Sequence, residues 1–227
     1  MAGRVAYYGN IVRDGLILDL DAAKRDSYPG TGTIWRDIAG GVITGSLVNG
    51  PTFDANNGGS IVFDGVNDYV NCTQPLDAGD FTFSIWIKKS VNVSSLEFVM
   101  GRYVDSVSRG AMMFFQNGNL TMRLGANISG GLRDNIIGNV TDGTWKNITS
   151  TITRTRQIVS YINGTLVSST NASTQQGTVP SGTVIGSRFG TSWYLGANLA
   201  TVSLYNRALS ASEVLQNFNS TRARFGV

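Results

Sequence analysis

Apolar residues recur at every second position through much of the chain, the period of a strand with one buried face. The clearest case is DFTFSIWIKKS, residues 80–90, where Phe81, Phe83, Ile85 and Ile87 fall on one face and Thr82, Ser84, Trp86 and Lys88 on the other. The first face is core. Trp86 on the second requires that this side too is partly covered, or that it lines a groove. Shorter strands are expected at LILDL, SIVFDG, DYVNC, LEFVMGRY, TWKNITSTITR and GTVIGSR. Two hairpins are marked by Asn-Gly, which accepts the positive φ angles of a type I′ turn: MMFFQNGNLTMRL around Asn117–Gly118 and RQIVSYINGTLVSS around Asn163–Gly164. They fix antiparallel pairing.

The end of the chain changes period. In LATVSLYNRAL, Leu199, Thr201, Ser203 and Tyr205 alternate with Ala200, Val202, Leu204 and Asn206, as in a strand. SASE then places Ser210 three residues before Glu213, the spacing of a capping box. Val214, Leu215 and Phe218 follow at helical spacing. A short helix over residues 210–219 is expected, laid across one edge of the sheets as a plug over core that the strands leave open. No earlier segment has a sustained helical period.

Composition supports this pattern. A chain of 227 residues with 41% apolar and 15% charged residues can bury one substantial core, and its 28 glycines suit many short strands joined by tight turns. One all-β domain is expected. The net charge of +3 is dispersed, with Lys88–Lys89 and Arg222/Arg224 as small clusters. They read as solvated surface, and nothing resembles a nucleic-acid footprint. Cys72 is the single cysteine, so no internal disulfide forms, and it reads as a structural strand residue. The N-terminus lacks a long apolar leader and no run is long enough to span a bilayer, so synthesis and folding in a cytoplasm are expected. Without a leader, the N-x-S/T sequons at Asn119, Asn127, Asn139, Asn147 and Asn163 read as a by-product of Asn/Thr-rich strands and turns.

The chain has no histidine, which removes serine-triad chemistry and the commonest zinc ligand. Oxygen ligation of Ca²⁺ is carried by DGVNDY, where Asp64, Asn67 and Asp68 share a tight turn; turn formation accounts for the same residues without a metal. For glycan binding, SRFGTSWYLGAN places Arg188, Trp193, Tyr194 and Asn198 in a loop between two late strands, suited to stacking on a sugar and hydrogen-bonding its hydroxyls. The aromatic residues could equally anchor the loop or pack on a neighbouring subunit.

SIVFDGVNDYV, FTFSIWIK, GTWKNITSTI, VSYINGTLV, VIGSR and LATVSLYNRALSASEVLQNF, in that order, resemble the concanavalin A-like superfamily in its laminin-G-like branch, over residues 14–221. GLILDLDAAKRDSYPGTGTIWRDIAGG with NGPTFDANNGGSIVFDGVNDYV resembles, more narrowly, the laminin-G-like domains of tailed-phage virion proteins. The resemblance implies a two-sheet antiparallel jelly-roll sandwich whose concave face and rim loops often bind carbohydrate, in many members with Ca²⁺. This chain departs from the pattern. Ala200 and Thr201 stand where relatives carry an acidic calcium ligand, and Lys146 and Asn147 replace a common histidine pair.

Glucanase relatives carry closely spaced acidic residues on one strand, flanking the glycosidic bond. Here only Glu97 and Glu213 are glutamates, and Asp19 and Asp21, sharing a strand face in LDLD, are ordinary near a turn. The chain is expected not to be an enzyme and to need no cofactor, Ca²⁺ apart. Its expected role is a decoration or fibre component on the capsid or tail of a phage particle made in a bacterial cytoplasm, with host-surface glycans as further partners. The alternative is a soluble carbohydrate-binding module acting in adhesion. Residues 13–227 form the jelly roll. Residues 1–12 form an arm whose Val5, Tyr7, Tyr8 and Ile11 are too apolar for a free tail. The arm either adds to a partner's sheet edge, folds back as a strand of its own sandwich, or joins copies into a homo-oligomer.

Overall fold

The computed structural model describes residues 10–40, 44–72, 79–92, 94–104, 109–125, 132–153, 155, 157–171 and 182–227. In chain order the strands are β1 (Leu16–Asp21), β2 (Ile34–Arg36), β3 (Thr44–Val48), β4 (Thr52–Asp54), β5 (Ser60–Asp64), β6 (Tyr69–Cys72), β7 (Phe81–Lys88) and β8 (Glu97–Val104). They continue as β9 (Arg109–Gln116), β10 (Asn119–Gly125), β11 (Leu132–Gly138), β12 (Trp145–Ile152), β13 (Gln157–Ile162), β14 (Thr165–Asn171), β15 (Val184–Ile185) and β16 (Gly196–Tyr205). One helix, α1 (Ala211–Thr221), and a 3-10 turn at Arg222–Phe225 close the chain.

The first sheet runs β14-β13-β12-β7-β16-β5-β4, with β1 paired to the far half of β16; the second runs β11-β10-β9-β8-β15-β6-β3-β2. All pairings are antiparallel. The core lies between the sheets, where Phe83, Ile85 and Ile87 of β7 and Val202 and Leu204 of β16 meet Met113, Phe115 and Met122 of the second sheet. Cys72 is buried in that core, and burial pushes its thiol up to about 12, so it is an inert packing residue. Asn117 and Asn163 adopt φ of 48° and 52°, each followed by a glycine of positive φ, as the two predicted hairpin turns require.

Three findings depart from expectation. First, the helix lies on the outward face of the first sheet and not across an edge. Phe218 and Phe225 pack with Trp86, Trp145 and Ala200, and Val214 packs with Val12, Tyr161, Tyr205 and Leu209. Phe225 stacks on Trp86 at 3.9 Å between ring centroids, and Trp86 Nε1 donates to Thr221 Oγ1 at 2.9 Å. The apolar residues on the outward face of β7, β12 and β16 therefore have a partner. Burying side chains of this size stabilises by about 1.5–3 kcal/mol each.

Second, two of the four basic residues that read as solvated surface, Lys89 and Arg224, are built in. Lys89, 2% exposed, donates to both Glu97 carboxylate oxygens at 3.0 and 2.8 Å and to the Gly196 carbonyl at 2.8 Å. Because β7 and β16 belong to one sheet and β8 to the other, this pair ties the sheets at one end. Arg224 donates to Asp21 Oδ1 at 2.7 Å and to the carbonyls of Asn57 and Gly59, fixing the end of the chain to the β1 and β4–β5 region.

Third, residues 10–12, assigned to the arm, belong partly to the domain. Val12 is buried; its N–H donates to Asn217 Oδ1, and its carbonyl accepts from the Tyr205 hydroxyl. Ile11 is half-buried. Val5, Tyr7 and Tyr8 lie outside the described residues. Among the described residues no helix is long and apolar enough to cross a membrane.

Candidate functional site

Three of the four predicted glycan-binding residues share one loop, between β15 and β16. Arg188 N–H donates to the Ser192 carbonyl at 2.8 Å, Ser187 Oγ donates to the same carbonyl, and the Tyr194 hydroxyl donates to the Gly190 carbonyl at 3.2 Å. These bonds close the loop on itself. The Arg188 guanidinium lies 4.4 Å from the centre of the Trp193 ring and 5.3 Å from that of Phe189. Trp193 packs on Phe98, Met112 and Phe114, on the outward face of the second sheet, and its carbonyl accepts from Phe98 N–H at 2.7 Å.

Trp193 is thus the loop's anchor, one of the alternatives its residue type allowed. The exposed aromatic is Phe189, 44% accessible, which the sequence reading did not single out. Phe189 and Trp193 both adopt positive φ, 59° and 54°, a costly conformation for aromatic residues that persists only where the surroundings enforce it. Asn198 stands apart in β16, where its amide donates to Ser60 Oγ.

A second place is a polar cleft of about 330 Å³ between the outward face of the first sheet and α1. Its floor is the face whose alternation was legible: Ser84 and Trp86 of β7, Asn147 of β12, Thr201, Ser203 and Tyr205 of β16, and Asp19 and Asp21 of β1. Asn217, Ser220 and Thr221 form the helix wall, and Arg13, Lys24 and Arg224 add positive charge. Asn147 is 3% exposed and donates to the Ile85 carbonyl, so it is no glycan acceptor.

Asp19 and Asp21 fare differently. Asp21 accepts from Arg224 and, through Oδ1, from Ala23 N–H. Asp19 is 3% exposed; its Oδ1 accepts from Ser203 Oγ at 3.2 Å, and its Oδ2 is buried without a hydrogen-bond donor. The Arg13 guanidinium is 3.9 Å from that oxygen. Burial pushes the Asp19 carboxyl above its usual range, against the lowering pull of Lys24 and Ser203. Burial likewise raises the Tyr205 hydroxyl to about 12.

The Asp64–Asp68 turn is satisfied from within. Asp64 Oδ1 accepts from the N–H groups of Val66 and Asn67, and Asp68 Oδ2 accepts from Asp64 N–H. Burial, and the neighbouring charge of Asp64, push the Asp68 carboxyl up, opposed by that backbone hydrogen bond. Among the described residues no three acidic or thiol side chains gather as metal ligands. At the position where relatives carry an acidic ligand, Ala200 is buried against Trp86 and Phe218. The turn's own hydrogen bonds account for Asp64, Asn67 and Asp68 without a metal.

A family model described as the concanavalin A-like lectin/glucanases superfamily, of laminin-G type, matches residues 64–215. No curated protein is significantly similar in sequence. Among solved structures, the binding domain of Paraclostridial Mosquitocidal Protein 1 aligns with a TM-score of 0.73 at 20% identity, over 92% of this chain and 52% of that one. The receptor binding domain of botulinum neurotoxin C/D mosaic serotype aligns at 0.74 and 15% identity, over 91% and 51%. The binding domain of botulinum neurotoxin DC in complex with SialylT aligns at 0.73 and 16%, over 92% and 52%. The chain spans about half the length of these structures, and at such identities the likeness is one of fold.

Proposed function

We propose that this chain, which belongs to the concanavalin A-like lectin/glucanases superfamily, is a non-catalytic binding module that recognises saccharide at the loop between β15 and β16. The observation that carries the reading is Phe189: an exposed aromatic, beside a guanidinium stacked on a second ring, on a loop closed by its own hydrogen bonds. An aromatic face takes the apolar side of a sugar ring, and the guanidinium donates to its oxygens. The non-catalytic part is supported by the occupation of both glutamates and of Asp21, which leaves Asp19 without a second free carboxylate beside it. Glu97 is bound by Lys89, Glu213 by Arg207 and the helix cap, and Asp21 by Arg224.

Screening the purified chain on a glycan array tests this. At least one glycan is expected to bind, with Phe189→Ala weakening it about tenfold or more while the fold is kept. A set of glycans bound equally by the wild type and by Phe189→Ala overturns the site.

The finer reading places the module on the capsid or tail of a tailed-phage particle. Its support is the resemblance of residues 15–41 and 49–70 to laminin-G-like virion domains. Mass spectrometry of purified particles is expected to find the chain in stoichiometric amount. Its absence leaves the soluble adhesion module.

A further inference from the structure

The cleft beneath α1 has no part in the reading above, and its chemistry is specific. We propose that it is a second binding site, for a neutral saccharide unit, in which Asp19 accepts hydroxyl protons of the ligand. A buried carboxylate oxygen without a donor is costly, because its lost hydration is not replaced. Asp19 Oδ2 is such an oxygen. It stands on a face of hydroxyl and amide side chains, with Ser203 already turned to Asp19 Oδ1. Arg13 is 55% exposed and can turn toward solvent, so a hydroxyl can replace it beside Oδ2.

Charge selects among ligand classes. A metal ion would meet Arg13, Lys24 and Arg224, with Asp21 already committed to Arg224. An anion would meet Asp19 and Asp21 on the cleft floor. A neutral polyol suits both signs, donating to Asp19 and accepting from Lys24. The volume of about 330 Å³ lies at the lower end for small-molecule sites and suits one or two sugar rings.

This site is on the opposite sheet from the Phe189 loop, so the two readings fail separately. The test is amide chemical-shift mapping on the full chain, titrated to millimolar concentrations with glucose, galactose, mannose and N-acetylglucosamine. Saturable shifts at Asp19, Ser203 and Thr221 are expected with at least one sugar. Asp19→Asn should weaken them about tenfold, since an amide offers one acceptor where the carboxylate offers two. Ala223→Phe, which adds bulk at an exposed position lining the cleft, should weaken them without touching the core. Shifts confined to residues 188–194 would support the loop and overturn the cleft. The cleft is overturned as well by shifts there caused by Mg²⁺ or inorganic phosphate with none caused by sugar, by no shifts with any of the four sugars, or by sugar affinities unchanged in both variants.

Discussion

At the scale of single residues, a buried ion pair and a lone buried carboxylate behave oppositely. Lys89 and Glu97 satisfy each other, and Gly196 contributes a carbonyl to one and an N–H to the other. Removing one partner leaves the other charge buried alone, so Lys89→Met is expected to cost about 3–5 kcal/mol, and adding Glu97→Leu should restore most of it. Urea denaturation of the single and double variants measures both; a double variant no better than the single sinks the argument. Asp19 has the reverse problem. Burial holds its folded-state pKa above the 3.8 of a free aspartate, so between the two values the folded chain holds a proton that the unfolded chain has released. Its contribution to stability therefore improves as pH falls from the raised value toward 3.8. Asp19→Asn, which carries no charge, should stabilise the protein by on the order of 1 kcal/mol at neutral pH, with the gain shrinking in acid. A gain that grows as pH falls would show that burial does not govern this carboxyl.

At the scale of elements, the C-terminal helix shows what local pattern can and cannot specify. Its start was legible because a capping box is local: Ser210 Oγ accepts from Glu213 N–H, and Glu213 reaches back to Ser210 N–H. Arg207 then grips Glu213 through both guanidinium ends and holds its carboxyl down at about 2. A depressed pKa gives stability that is present above 4.5 and lost as pH falls toward about 2. Trp86 donates to Thr221, so its fluorescence should report the helix loosening in that window, and Ser210→Ala should cost about 1 kcal/mol. Fluorescence unchanged down to about pH 2 would mean that the Phe218 and Phe225 contacts hold the helix without its cap. Where the helix docks was not legible, because alternation in β7 places Trp86 outward without naming its cover. That cover includes Phe225, beyond the periodic stretch. Likewise β2 and β4, three residues each, are too short to show a period, and β11 was hidden among polar residues. The cleft escaped for the same reason. Arg224 meets Asp21 across most of the chain's length, and no spacing rule reaches that far.

At the scale of the whole molecule, the two ends of the described chain meet on one face of the first sheet. Val12 is held by Asn217 and Tyr205, Gln216 donates to the Asn10 carbonyl, and the cleft opens beside them. Residue 10, where the described chain begins, therefore lies next to α1, on the opposite sheet from the Phe189 loop. That arrangement suits a module held on one side and presenting the other. An arm bearing Val5, Tyr7 and Tyr8 would attach it to a particle, by strand addition to a capsid or tail subunit or to a second copy, while the loop faces outward. Deleting residues 2–9 separates anchorage from folding, because the ties at residues 10–12 remain. If the arm's partner lies outside this domain, the shortened chain unfolds within about 0.5 kcal/mol of the full one. Incorporation into particles, measured by mass spectrometry after complementation, is expected to fall at least about tenfold, the loss of little more than 1.4 kcal/mol of attachment. Full incorporation of a stable shortened chain would reject the arm as anchor and move the attachment to the folded surface. A marked loss of stability would instead mean that the arm is a strand of this same sandwich.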